Sequence, residues 1–221
     1  MTRFTPRLIL AGSLALALVV TALALTLTPA AHPHQTAANA RDNRAAFHDG
    51  MRQLWEDHIV WTRQFIVSAV ADLPDLSVAT DRLLRNQDDI GDAIKPFYGD
   101  AAGEQLSILL REHILGAAAL LNAAKDGDGP GVEAASAAWY ANADEIAAFL
   151  SSANPDAWPL AEMQAMMRDH LDLTLAEAVA RLEGRYADDA AAYDQIHVQI
   201  LHMADMLSDG IIAQFPNRFA R

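Results

Sequence analysis

At 221 residues, with hydrophobic side chains making up 52% of the chain, the sequence can bury a substantial core in one domain and still carry a leader. Its formal charge of -13 repels nucleic acid and anionic lipid, which argues against both as partners of the body. Cysteine is absent, which excludes disulfides, thiolate chemistry and cysteine-ligated metal clusters, so any metal site is expected to use nitrogen and oxygen.

In chain order, Arg3 and Arg7 precede an apolar run from Leu8 to Leu27 that holds no charge, the pattern of an export signal. The run is also just long enough to cross a bilayer, which takes about 20 residues. Residues 1–28 are therefore expected to be a signal peptide or a membrane anchor, with the arginines on the cytoplasmic side and the body outside the cytoplasm. Beyond this segment no membrane contact is expected. Residues 29–43, with the cleavage-like Ala38-Asn39-Ala40, read as a flexible linker. From 44 to 221 apolar residues recur at spacings of three and four. Turn signals punctuate them at Leu73-Pro74-Asp75, Tyr98-Gly99-Asp100, Asp126 to Gly131, Asn154-Pro155 and Gly184. The pattern predicts an all-α domain of six helices.

Three phrases repeat within it: "WEDHI", "LREHI" and "MRDHL". Their histidines, His58, His113 and His170, lie 55 and 57 residues apart, and each is followed 28 or 29 residues later by an amide, Asn86, Asn142 or Gln199. The positions four and eight after each amide agree as well: Ile90, Ile146 and Met203, then Ile94, Leu150 and Leu207. This register predicts an αα-hairpin written three times and closed into a compact six-helix bundle, with approximate three-fold symmetry.

All three histidines fall on apolar helical stripes and are expected to point inward, as are the three amides. Two arrangements follow. Each histidine can bond an amide in a buried polar network, or the histidines can join Asp89, Glu145 and His202, three residues after the amides, as a cage for a divalent transition metal. His197 also lies on an apolar stripe, and Asp194-x-x-His197 is a single copy of the acid-x-x-His pattern that di-iron bundles use twice. Asp57, Glu112 and Asp169, one residue before the histidines, are turned about 100° away and are expected to pair with Arg111, Arg168 or a neighbouring helix. "DGDGPG" opens like a calcium loop, but Pro130 and Ala137 stand where ligands are needed, so it reads as a turn. The chain holds no phosphate-binding glycine loop, nucleophile elbow, H-E-x-x-H or haem-attachment motif.

The phrases "WTR", "NQDDIG", "YGDAAG", "AAKDGD", "ANP", "AYDQIH" and "GIIAQFP" run through the body from about Met51 to Phe219. They resemble a family of bacterial exported or membrane-tethered all-helical proteins of uncharacterised role. Some members carry names such as glycosyltransferase or acetylglutamate kinase. Those activities call for nucleotide-binding α/β folds, so the resemblance implies a helical fold and an extracytoplasmic place and supplies no catalytic residue. The leading expectation is a non-enzymatic extracytoplasmic helical protein whose inward histidines take a divalent metal. The alternatives are a cell-envelope scaffold, marked by an exposed aromatic patch around Trp158, Trp139 and Phe97, and a ferritin-like metalloenzyme.

Overall fold

The computed structural model of the chain describes residues 33–220. The expected signal or anchor segment, 1–28, lies outside the described residues. The body is helical throughout: α1 (Pro33–Val70), α2 (Leu76–Tyr98), α3 (Asp100–Asp126), α4 (Gly129–Ala153), α5 (Leu160–Leu182) and α6 (Tyr186–Gln214), then a 3-10 turn at Pro216–Arg218. Every predicted turn falls between two helices. At the α3–α4 turn Gly127 takes the left-handed conformation, φ 71°, and its N–H closes onto the carbonyls of Ala123 and Ala124.

Residues 33–43 correct the expected linker, because α1 already runs through them. Pro33 suits the first helical position, and the alanine-rich stretch after it contains nothing to stop a helix. Residues 41–46 are all exposed, and Phe47 is set against Phe97 of α2 and against Phe219 near the C-terminus.

Each helix packs on the next in sequence, and α6 returns to α1, so the six form a closed up-and-down ring. α2 and α3 approach closely, for a Cβ added to Gly91 would stand 2.5 Å from the carbonyl oxygen of Gly103. The backbones touch there, which neither position would allow with a side chain. α3 is apolar enough over its length to pass for a membrane span, but its leucines Leu106, Leu109, Leu110, Leu120 and Leu121 are buried among the other helices.

Along the ring axis the interior changes character. The end holding the start of the packed α1 is sealed by an aromatic cluster of Phe47, Phe97, Phe215 and Phe219, with Tyr98 and Trp158 beside it. Next comes the main core, including Ile90, Ile146, Met203 and Leu207. At the opposite end, where the α1–α2, α3–α4 and α5–α6 turns gather, a smaller core is built on Phe65, Ile66, Leu83, Ile114 and Leu121.

Candidate functional site

The histidines enter the interior from α1, α3 and α5. His58, His113 and His170 are 3%, 4% and 4% exposed, and the His170 ring lies 5.9 Å from that of His58 and 6.4 Å from that of His113, centre to centre. The inward direction read from the apolar stripes therefore holds. So does the pairing with the amides in two hairpins: the Nδ1 of His113 is bonded to Asn142 Oδ1 at 3.0 Å, and that of His170 to Gln199 Oε1 at 3.1 Å. The NH2 of each amide donates to the carbonyl four residues before the hairpin's histidine, Asn86 to Leu54, Asn142 to Leu109 and Gln199 to Met166. An amide oxygen as acceptor makes the Nδ1 of His113 and His170 the protonated nitrogen.

The first hairpin differs. Asn86 Oδ1 accepts from Gln87 Nε2 at 3.2 Å, so Asn86 and Gln87 stand beside the His58 ring while its Nδ1 and the Gln87 Oε1 are buried without a hydrogen bond. The cause is in the sequence. The residue after the amide is Gln87 in this hairpin but Ala143 and Ile200 in the others, and neither of those competes for the amide oxygen.

The remaining candidate ligands are elsewhere. Asp89, Glu145 and His202 are exposed, which corrects the expected cage, since three residues beyond an inward amide is about 60° short of a full turn. His197 is bonded to Glu56 at 2.8 Å near the surface. Among the described residues no group of three or more histidines and carboxylates is arranged to hold a metal ion. Asp57 pairs with Arg82, whereas Arg111 and Arg168 pair with Asp88 and Asp144 instead of the acids beside the histidines. The expected exposed aromatic patch is absent at its named residues, for Trp158 and Trp139 are 2% and 3% exposed and Phe97 packs in the aromatic cluster.

One helical turn beyond the histidines stand Thr62, Ala117 and Thr174, and they line a cavity of about 110 Å³ that the sequence did not announce. Thr62 and Thr174 turn their hydroxyls back onto the carbonyls of His58 and His170, so the histidine layer and this threonine layer form one floor. The walls are apolar: Phe65, Ile66, Leu83, Ile114, Leu121, Leu175, Ala178 and Trp139, whose ring also lies 5.3 Å from that of His113. The inner end, at Leu83 and Ile114, is buried, while Ala124 on the opposite side is exposed and Val132 and Leu182 are half-buried, which sets the mouth beside the α3–α4 turn. The signal in the sequence was slight: Ala117, Ala124 and Ala178 place small side chains where larger ones would close the space.

Beside the cavity wall, α1, α5 and α6 share a buried ionic network, also unforeseen. Arg63 donates to Glu177 at 2.5 Å and to Asp189 at 2.7 Å, and Arg181 donates to Asp189 at 3.1 Å. Glu177 and Asp189 are 2% and 1% exposed.

These groups set the acid response of the fold. Burial, and then the neighbouring imidazoles, push His58 and His113 down to about 3, and burial lowers His170 as well. A histidine whose pKa is lower folded than unfolded stabilises fully above about pH 6.5 and loses that contribution as pH falls toward 3, so by pH 5 His58 and His113 each lose about 2 kcal/mol. Glu177 has the opposite sign. Burial raises its carboxyl to about 7 against the pull of Arg63, so it costs stability as pH climbs from about 4.5 to 7, and about 2 kcal/mol of that returns by pH 5. Urea unfolding is therefore expected to show a net loss of at least about 2 kcal/mol between pH 7 and pH 5, to which His170 adds. In Glu177→Gln, which lacks the opposing carboxyl, the loss should be larger by about 2 kcal/mol, and equal losses in the two proteins would contradict this assignment.

Comparison with known proteins finds no matching family model, no similar curated protein and no similar solved structure.

Proposed function

We propose that this chain is a non-enzymatic binding protein that takes a small apolar molecule in the cavity above its histidine layer. The carrying observation is the cavity itself. The space of about 110 Å³ is walled by apolar side chains, which offer carbon to an occupant. Apolar cavities of roughly 150 Å³ stay dry and admit a molecule of benzene's size. The histidine–amide bonds give the floor its rigidity, because a satisfied buried polar network fixes the register of the helices around it. The recurrence of the amide-to-carbonyl bond in all three hairpins supports reading them as copies of one unit. The charge-free run from Leu8 to Leu27 behind Arg3 and Arg7 supports a working place outside the cytoplasm, either tethered or released.

Methyl-resolved NMR with added toluene tests the cavity. Shifts are expected at Ile66, Ile114, Leu121 and Leu182, with Ile200 and Leu207 unmoved, and Ala178→Leu should abolish them while leaving the protein as stable or slightly more so. Toluene shifts that spread over the whole bundle, or none at all, would overturn the reading.

A further inference from the structure

The cavity is walled by carbon, and one polar hydrogen in that wall lacks an acceptor. Among the residues that line it, only Thr62, Thr174 and Trp139 carry a polar side-chain atom. The two threonine hydroxyls are committed, donating at 2.8 and 2.9 Å to the carbonyls of His58 and His170. Trp139 differs. The residue is 3% exposed, and its indole Nε1–H is buried with nothing to bond. Its ring packs on His113, whose Nδ1 is already taken by Asn142. The edge that carries the N–H lies along α3: a Cβ added to Gly116 would stand 3.2 Å from Cδ1, the carbon next to Nε1, and Ala117 and Leu120 of that helix line the cavity as well.

The other tryptophans of the interior show what is particular here. Trp158 donates its N–H to the Met206 carbonyl at 3.3 Å. Trp55 has an unpartnered N–H, but the space it borders is about 20 Å³, which holds no more than a water. Of the side chains with a buried, unpartnered polar atom among the described residues, Trp139 is the one that lines the larger cavity. A buried donor of this kind discriminates between occupants, because one with an acceptor completes the bond and one without leaves the N–H unpaired. A carboxylate is the wrong acceptor, since no cation lines the cavity to offset taking its charge out of water.

Resting on the cavity reading above, we infer that the ligand is a small neutral molecule with one oxygen acceptor, a ketone, aldehyde or ether, whose oxygen takes the Trp139 N–H while its hydrocarbon part fills the space above Thr62 and Thr174. A skeleton of about six carbons suits the volume, judged against the benzene-sized occupant of a slightly larger void.

Cyclohexanone and methylenecyclohexane share a ring and differ by an oxygen against a CH2, so the pair isolates the acceptor. In the 15N-labelled full chain the Trp139 indole signal, assigned through its proximity to Gly116, is expected to move downfield with the ketone and to stay nearly in place with the hydrocarbon. Displacement of bound toluene gives a second readout. The ratio of ketone to hydrocarbon affinity should fall about five-fold in Trp139→Phe, which keeps an aromatic wall and removes the N–H. A Trp139 signal that ignores cyclohexanone while toluene still shifts the cavity methyls, or a ratio equal in the two proteins, overturns the inference and leaves the cavity reading standing. If toluene itself does not bind, the cavity reading fails and the inference fails with it.

Discussion

Replacing His113 by alanine is expected to lower the unfolding free energy by about 2 to 4 kcal/mol. The substitution removes a ring 4% exposed, leaves Asn142 Oδ1 without its donor at 3.0 Å, and withdraws the packing partner of Trp139. Void and orphaned acceptor contribute together. His58 separates them, because its Nδ1 has no hydrogen bond to lose; His58→Ala should cost about 1 kcal/mol less than His113→Ala. Urea unfolding at pH 7.5, with the slope of each transition compared to confirm an unchanged unfolded state, gives both values. A change below about 0.5 kcal/mol for His113→Ala would place that ring at the surface, against the structure.

Asp189→Ala should rank beside it. Asp189 is 1% exposed and accepts from Arg63 at 2.7 and 3.2 Å and from Arg181 at 3.1 Å, so it joins α6 to both α1 and α5. Breaking a buried ion pair by deleting one partner costs about 3 to 5 kcal/mol. Here the arginines keep 26% and 22% of their side chains in water, and Arg181 retains a stacking contact with Tyr186, which brings the expected loss down to about 2 to 4 kcal/mol. Asp189→Asn keeps the volume and one acceptor and should lose roughly half as much. The damage should be local before it is global: amide exchange across residues 186–196, the first turns of α6, should accelerate ahead of the rest of the bundle. Uniform acceleration, or none, would mean that the network does not hold α6 in place.

The sequence alone determined the helices, their turns and the inward direction of the three histidines, because each follows from local periodicity. Apolar spacing of three and four specifies a helix, Pro74, Gly127 and Gly184 mark its interruptions, and a histidine on an apolar stripe faces the core wherever that stripe is buried. The pairing of His113 with Asn142 and of His170 with Gln199 was also legible, since each amide follows its histidine at the same spacing of 29 residues on the next helix. Tertiary structure decided the rest. Whether Asn86 Oδ1 serves His58 or Gln87 depends on which donor lies nearer in three dimensions, and the Gln87 NH2 wins it. Asp89, Glu145 and His202 looked equivalent to inward positions along the chain, yet a 60° difference in angle sets them in solvent once the ring closes. The cavity and the Arg63–Glu177–Asp189 network come from helices far apart in the chain, and their existence depends on distances between helices that no local pattern encodes. A void is the residue of how neighbouring helices pack, and so it appears only when every wall is in place.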